Sequence, residues 1–127
     1  MKICDLKNRK KNRDAITMLT CYDSTFANLL DESGLDIILV GDSLGMVIKG
    51  HETTLTVKMQ EMIYHTRCVS AGVKNSLIMT DMPFSSYQQS QQKAYSNAAK
   101  LIEAGAHLVK LEGNSWITET VEFLAKR

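Results

Sequence analysis

Cysteine is scarce and shows no pairing pattern. Cys4, Cys21 and Cys68 are odd in number, far apart and form no C-x-x-C unit. That argues against a disulfide framework and a zinc site, and fits a reducing cytoplasm. No apolar run approaches the length of a membrane span, and no charged start leads into an apolar block. A membrane partner and a signal peptide are therefore not expected. Neither sign of charge dominates: Lys plus Arg number 15 and Asp plus Glu 14, a net charge of +1 that gives nucleic acid nothing to grip. G-x-G-x-x-G and the P-loop pattern are both missing, since Gly41 and Gly45 are separated by Asp42, Ser43 and Leu44. A nucleotide or dinucleotide fold is poorly supported. Proline occurs once, at Pro83, and the chain stops at Ala125-Lys126-Arg127 as though cut after a helix.

What is present suits one modest domain: 127 residues, 44% of them hydrophobic, can build one real core but not two. Residues 1–14 are basic, with Lys2, Lys7, Arg9, Lys10, Lys11 and Arg13, and Ile3 and Leu6 are the only sizeable aliphatics. No aromatics interleave for base stacking, so this reads as a solvated lead-in helix rather than a nucleic-acid patch.

From there short apolar runs alternate with amphipathic ones. Strands are expected at 15–22, 37–40, 76–80 and 107–111. Between them, Asp23 or Ser24 caps a helix with Phe26, Leu29 and Leu30 inward, and Gly34 follows it. Met59, Met62, Ile63 and Val69 share a face of a second helix that Gly72 ends. Tyr95, Ala98, Ala99 and Ile102 do so on a third, and Ile117, Val121 and Leu124 on the last, which Asn114 or Ser115 caps. Strand–helix four times over means parallel strands joined by right-handed crossovers. The candidates are a small four-stranded open sheet and half of a (β/α)8 barrel, which as a whole needs about 250 residues.

Three of the four strands finish on a carboxylate: Asp42, Asp81 and Glu112. Helix capping is a weak explanation for Asp42 and Asp81, because the next expected helices begin many residues downstream. It is weak for Glu112 because Glu is a poor N-cap. Lys110 and Glu112 are two apart and share one face of a strand whose two faces should both be buried. Carboxylates converging without a cation would repel, and an all-oxygen set favours Mg²⁺. With Ser43 as a hydrogen-bond donor and Lys110 to neutralise an acid, these residues read as a metal-assisted site for a small carboxylate. His51, His65 and His107 have no metal-ligand spacing, and Cys21 has no visible base beside it, so all four read as structural.

The motifs Thr20-Cys21-Tyr22-Asp23-Ser24-Thr25-Phe26-Ala27, Val40-Gly41-Asp42-Ser43-Leu44-Gly45-Met46, Gly50-His51, Tyr64-His65-Thr66, Asp81-Met82-Pro83-Phe84 and Val109-Lys110-Leu111-Glu112-Gly113 resemble, in order along nearly the whole chain, the ketopantoate hydroxymethyltransferase family. The resemblance implies the N-terminal half of a (β/α)8 TIM barrel: four βα units in a single incomplete domain, 1–127. It implies transfer of a hydroxymethyl group from 5,10-methylenetetrahydrofolate to 3-methyl-2-oxobutanoate, giving 2-dehydropantoate on the way to pantothenate. By similarity Asp42, Asp81 and Glu112 surround Mg²⁺, and Asp42, Ser43, Asp81 and Lys110 contact the oxo acid. The family's proton-abstracting glutamate lies on a later strand, beyond Arg127, and the full-length family is expected to be homo-oligomeric. The 127 residues alone are then expected to be inactive. They are either a fragment of an authentic transferase or a short product with at most a binding or assembly role. A related Mg²⁺-dependent 2-oxo acid lyase or aldolase is the enzymatic alternative.

Overall fold

A computed structural model describes residues 2–127. The elements in order are α1 (Ile3–Asn12), β1 (Met18–Thr20), α2 (Ser24–Glu32), β2 (Ile37–Val40), α3 (Leu44–Val47), α4 (Met59–Gly72), β3 (Leu77–Asp81), α5 (Gln91–Glu103), β4 (Leu108–Lys110) and α6 (Thr118–Ala125). A 3-10 turn, Ser115–Ile117, leads into α6. The sheet runs β1-β2-β3-β4, every pair parallel, with Thr20 beside Leu39, Val40 beside Thr80, and Asp81 beside Lys110. Sequential order, all-parallel pairing and a helix after each strand are the first four units of a (β/α)8 barrel.

The central strands are what branched apolar runs should produce: Ile38, Val40, Ile78 and Thr80 are buried. Burial of both faces does not extend to the outer strands. β1 is exposed throughout and only three residues long, and β4 is half-buried. Each has a neighbour on one side only, so its outward side chains have nothing to pack against.

Two helix faces are also rotated from the pattern in the sequence. On α2, Ala27 and Asp31 point inward while Phe26 and Leu29 are 62% and 59% exposed. On α5 the inward set is Ala94, Asn97, Ala98 and Leu101, and Tyr95 turns to meet the Phe123 ring of α6. The reason on α2 is close approach. A Cβ on Gly72 of α4 would stand 2.3 Å from the Ser24 carbonyl oxygen and 3.1 Å from Ala27 Cβ, so only small residues fit at this crossing. Capping follows expectation more closely. Asp23 accepts from the Phe26 N–H at 2.9 Å, and Gly34 and Gly105 follow α2 and α5 at φ +84° and +112°.

Asp31 locks α2 to the start of β3. It is 5% exposed and accepts N–H bonds from Lys74, Asn75 and Ser76. Burial pushes its carboxyl up, but these backbone donors outweigh it and bring the pKa down to about 2. Its ordinary value is 3.8, so the shift contributes stability that is present above that pH and lost as pH falls through 2. The contribution is about 2 kcal/mol. Asp31→Asn should flatten the fall of unfolding free energy between these pH values, measured by urea titration. An unchanged slope would contradict the assignment.

Candidate active site at the strand ends

The C-terminal ends of β2, β3 and β4 bring the acidic residues together. At the end of β2 the chain turns sharply at Gly41, where a Cβ would lie 2.6 Å from Ser43 Oγ and 3.6 Å from Asp81 Oδ2. A side chain at this position would crowd the Ser43 hydroxyl where it now lies. The turn runs directly into α3, with Ser43 at its N-cap position, so a helix begins two residues after Asp42 and not far downstream. Four residues are too few to show a helical period, and they read as loop. The Asp42 carboxylate nonetheless does not cap α3.

Asp81 closes β3 and is buried. Its Oδ2 accepts from the Asp42 N–H at 3.1 Å. Its Oδ1 is buried without a hydrogen bond of good geometry and has Lys110 Nζ at 2.8 Å as its ionic partner. Lys110 also reaches Glu112 Oε1 at 2.7 Å. Burial works against the ammonium charge, but the Asp81 and Glu112 carboxylates outweigh it and raise the Lys110 pKa. Glu112 lies two residues past the end of β4 and its side chain is 76% exposed. Its backbone is pinned by Tyr87, whose hydroxyl donates to the Glu112 carbonyl at 2.9 Å and accepts from its N–H at 3.2 Å. Lys110 lowers the Glu112 carboxyl pKa. Asp42 is the group left over: burial, then the charges of Asp81 and Glu112, push its carboxyl up.

These residues line one cavity of ≈ 110 Å³: Asp42, Asp81, Lys110 and Glu112 form its polar side, and Leu55, Met82, Phe84 and Tyr87 its apolar side. Ser43 is not among the lining residues; it follows Asp42 directly, and its Oγ is hydrogen-bonded to the Tyr22 hydroxyl at 2.8 Å. A larger cleft of ≈ 400 Å³, lined by Asp5, Arg9, Asp31 and Asp36 among others, opens at the other end of the sheet. Its buried carboxylates are already satisfied, Asp31 by backbone N–H groups and Asp36 by Arg9 and Thr17. Conserving the fold, not chemistry, is what that end of such a sheet does.

Three carboxylates against one ammonium leave the small cavity short of positive charge. No three His, Cys, Asp or Glu residues converge as a metal-binding group among the described residues. The two innermost carboxylates still fit a hard divalent ion. Mg²⁺ commonly takes one or two carboxylates and fills its remaining positions with water and substrate oxygens. A raised Asp42 pKa and a buried Asp81 oxygen lacking a hydrogen bond are what such a pair shows when it faces no cation beyond Lys110.

The remaining candidates are structural. His107 Nδ1 accepts from the Ile78 N–H at 3.0 Å, His51 Nδ1 meets the Thr56 hydroxyl at 2.7 Å, and His65 Nδ1 donates to the Tyr22 carbonyl at 2.7 Å. Cys21 is buried, and burial raises its thiol pKa, so it is not poised as a nucleophile. Sequence reasoning missed Tyr22 and Tyr87, whose hydroxyls hold Ser43 and Glu112 in place. Neither lies in a local pattern with its partner.

No helix among the described residues is long and apolar enough to cross a membrane. In fold, the chain is similar to a 2,3-dimethylmalate lyase of the PEP mutase/isocitrate lyase superfamily, with a TM-score of 0.69 at 13% identity, covering 97% of this chain and 46% of that one. A phosphonopyruvate hydrolase solved with oxalate and Mg²⁺ aligns with a TM-score of 0.68 at 13% identity, covering 86% and 38%. Sequence relatives are much nearer. The 3-methyl-2-oxobutanoate hydroxymethyltransferase of Thiobacillus denitrificans is 54% identical over 122 residues, 96% of this chain and 47% of the relative. That of Chromobacterium violaceum is 57% identical over 112 residues, 88% and 43%. That of Nitrosomonas europaea is 52% identical over 127 residues, 100% and 47%. The chain thus spans about half the length of the curated relatives it matches. The ketopantoate hydroxymethyltransferase family model matches residues 1–127, and the chain belongs to that family.

Proposed function

We propose that these residues carry the oxo acid and metal site of an enzyme that transfers a hydroxymethyl group from 5,10-methylenetetrahydrofolate to 3-methyl-2-oxobutanoate, giving 2-dehydropantoate in pantothenate synthesis. The observation that carries the reading is the convergence of Asp42, Asp81, Lys110 and Glu112 on one cavity at the strand ends of a chain from this family. Asp42 and Asp81 would hold Mg²⁺, with Glu112 as the third carboxylate of the set. Mg²⁺ would supply Lewis-acid polarisation of the 2-oxo group, making the C3 hydrogen more acidic.

The chain's own residues account for binding and orientation. Lys110, kept charged by two carboxylates, offers the ammonium that an oxo acid requires. Ser43, next in the chain to Asp42, offers a hydroxyl donor. Leu55, Met82 and Phe84 give the branched alkyl group an apolar wall and shield it from water. In the overall change C3 loses its proton, a bond forms from C3 to the donor's one-carbon unit, and one water enters as tetrahydrofolate leaves. No residue of this stretch is assigned the base. Residues 1–127 form part of one barrel domain, with α1 (Ile3–Asn12) as its lead-in helix. Three free cysteines suit a cytoplasmic setting.

The test uses a completed enzyme, in which these 127 residues replace the matching part of the Thiobacillus denitrificans relative. It should form 2-dehydropantoate only with both the folate donor and Mg²⁺ present. A folded enzyme that instead cleaves a 2,3-disubstituted malate, or that works equally well in chelator, would contradict the reading.

A further inference from the structure

We propose that Tyr22 is a positioning residue for the oxo acid site, acting through Ser43; this rests on the reading above, in which Ser43 contacts the oxo acid. The Tyr22 and Ser43 hydroxyl oxygens are 2.8 Å apart although the residues are 21 positions apart in sequence. Tyr22 follows β1 and Ser43 follows β2, so the bond ties together two adjacent strand ends on the face that carries the cavity. The tyrosine is itself held on two sides. Its carbonyl accepts from His65 Nδ1 at 2.7 Å, and its ring meets the His65 ring edge-on at a centroid separation of 6.5 Å. His65 in turn sits on α4, where the Tyr64 ring packs edge-on against it at 5.2 Å.

Proton counting gives the bond its direction. A serine hydroxyl has one proton and can accept as well as donate. The carboxylates of Asp42 and Asp81 at the same strand ends only accept, and so does the carboxylate of an arriving oxo acid. For Ser43 to give its proton to the substrate, Tyr22 must donate to Ser43. The phenol can do this because nothing else in the cluster requires its proton. At Gly41 a Cβ would lie 2.6 Å from Ser43 Oγ, so a side chain there would crowd the hydroxyl. Donation from Tyr22 polarises the Ser43 O–H toward an anion.

The test is a double-mutant cycle in the completed enzyme, with Tyr22→Phe, Ser43→Ala and the pair. Kd for 3-methyl-2-oxobutanoate and KM for the folate donor are measured for each, after circular dichroism confirms that each is folded. Tyr22→Phe should weaken oxo acid binding roughly tenfold, the size of one lost hydrogen bond to an anion-binding group, and leave the folate KM unchanged. Adding it to Ser43→Ala should cause no further loss. Additive losses, or equal changes in both constants, would overturn the proposal. A loss in Ser43→Ala with none in Tyr22→Phe would overturn it while leaving the Ser43 contact standing. No loss in Ser43→Ala would overturn both. His65→Leu, which has no donor for the Tyr22 carbonyl, provides a second check that leaves the phenol in place, and it should weaken oxo acid binding in the same direction only while Tyr22 is present.

Discussion

Asp81→Asn in the completed enzyme should lower kcat/KM for 3-methyl-2-oxobutanoate by about a hundredfold to a thousandfold, the cost of removing one preorganised charge from a water-poor site. The substitution is chosen because it preserves shape. An asparagine oxygen can still accept from the Asp42 N–H, so the turn after β2 keeps its bond. What goes is the buried negative charge that faces Lys110 at 2.8 Å and stands beside Asp42. Lys110 is then left with Glu112, which is largely solvated and holds it less firmly. The proposed metal site loses one of its two inner carboxylates. Steady-state kinetics, with circular dichroism to confirm the fold, read the effect. A loss smaller than about threefold would mean that Asp81 is a structural partner of Asp42 and Lys110, as buried ion pairs often are.

The second large effect concerns the 127 residues on their own. They should show no steady-state turnover and should self-associate. β1 is paired only with β2, and β4 only with β3, so each outer strand presents an open edge. Met18 and Leu19 on β1 and Phe26 and Leu29 on α2 are all exposed, apolar area of the kind that other chains cover. The cavity is built from three adjacent strand ends and is open on the side where a closed barrel would place further strands. Size-exclusion chromatography and a 2-dehydropantoate assay on the isolated chain check both parts. Turnover by a monodisperse monomer would contradict the account.

How much of this was legible in the sequence depended on whether the cause was local. The strand–helix alternation was legible because the strands are short apolar runs and the helices between them carry an apolar face and, for α2 and α5, a glycine after the last turn. Asp23 could be read as a cap for the same reason. The site residues Asp42, Asp81, Lys110 and Glu112 stood out because charge at the end of a buried strand has no local explanation. The rest depended on partners distant in sequence. Which face of α2 turns inward is decided by Gly72 on α4, and exposure of β1 and β4 is decided by their place at the sheet edges. Asp31 resembled any polar helix residue until the 74–76 backbone closed around it. Tyr22 and Tyr87 act through hydrogen bonds to residues 21 and 25 positions away. No local spacing encodes those.

The central claim is that Asp42 and Asp81 hold a divalent ion against which a 2-oxo acid binds. Anomalous scattering from crystals of the completed enzyme grown with Mn²⁺ and 3-methyl-2-oxobutanoate tests it most directly. The account predicts one strong peak between the Asp42 and Asp81 carboxylates, with the oxo acid beside it and its charged end toward Lys110 and Ser43. A peak elsewhere, or an oxo acid bound away from these four residues, would contradict it.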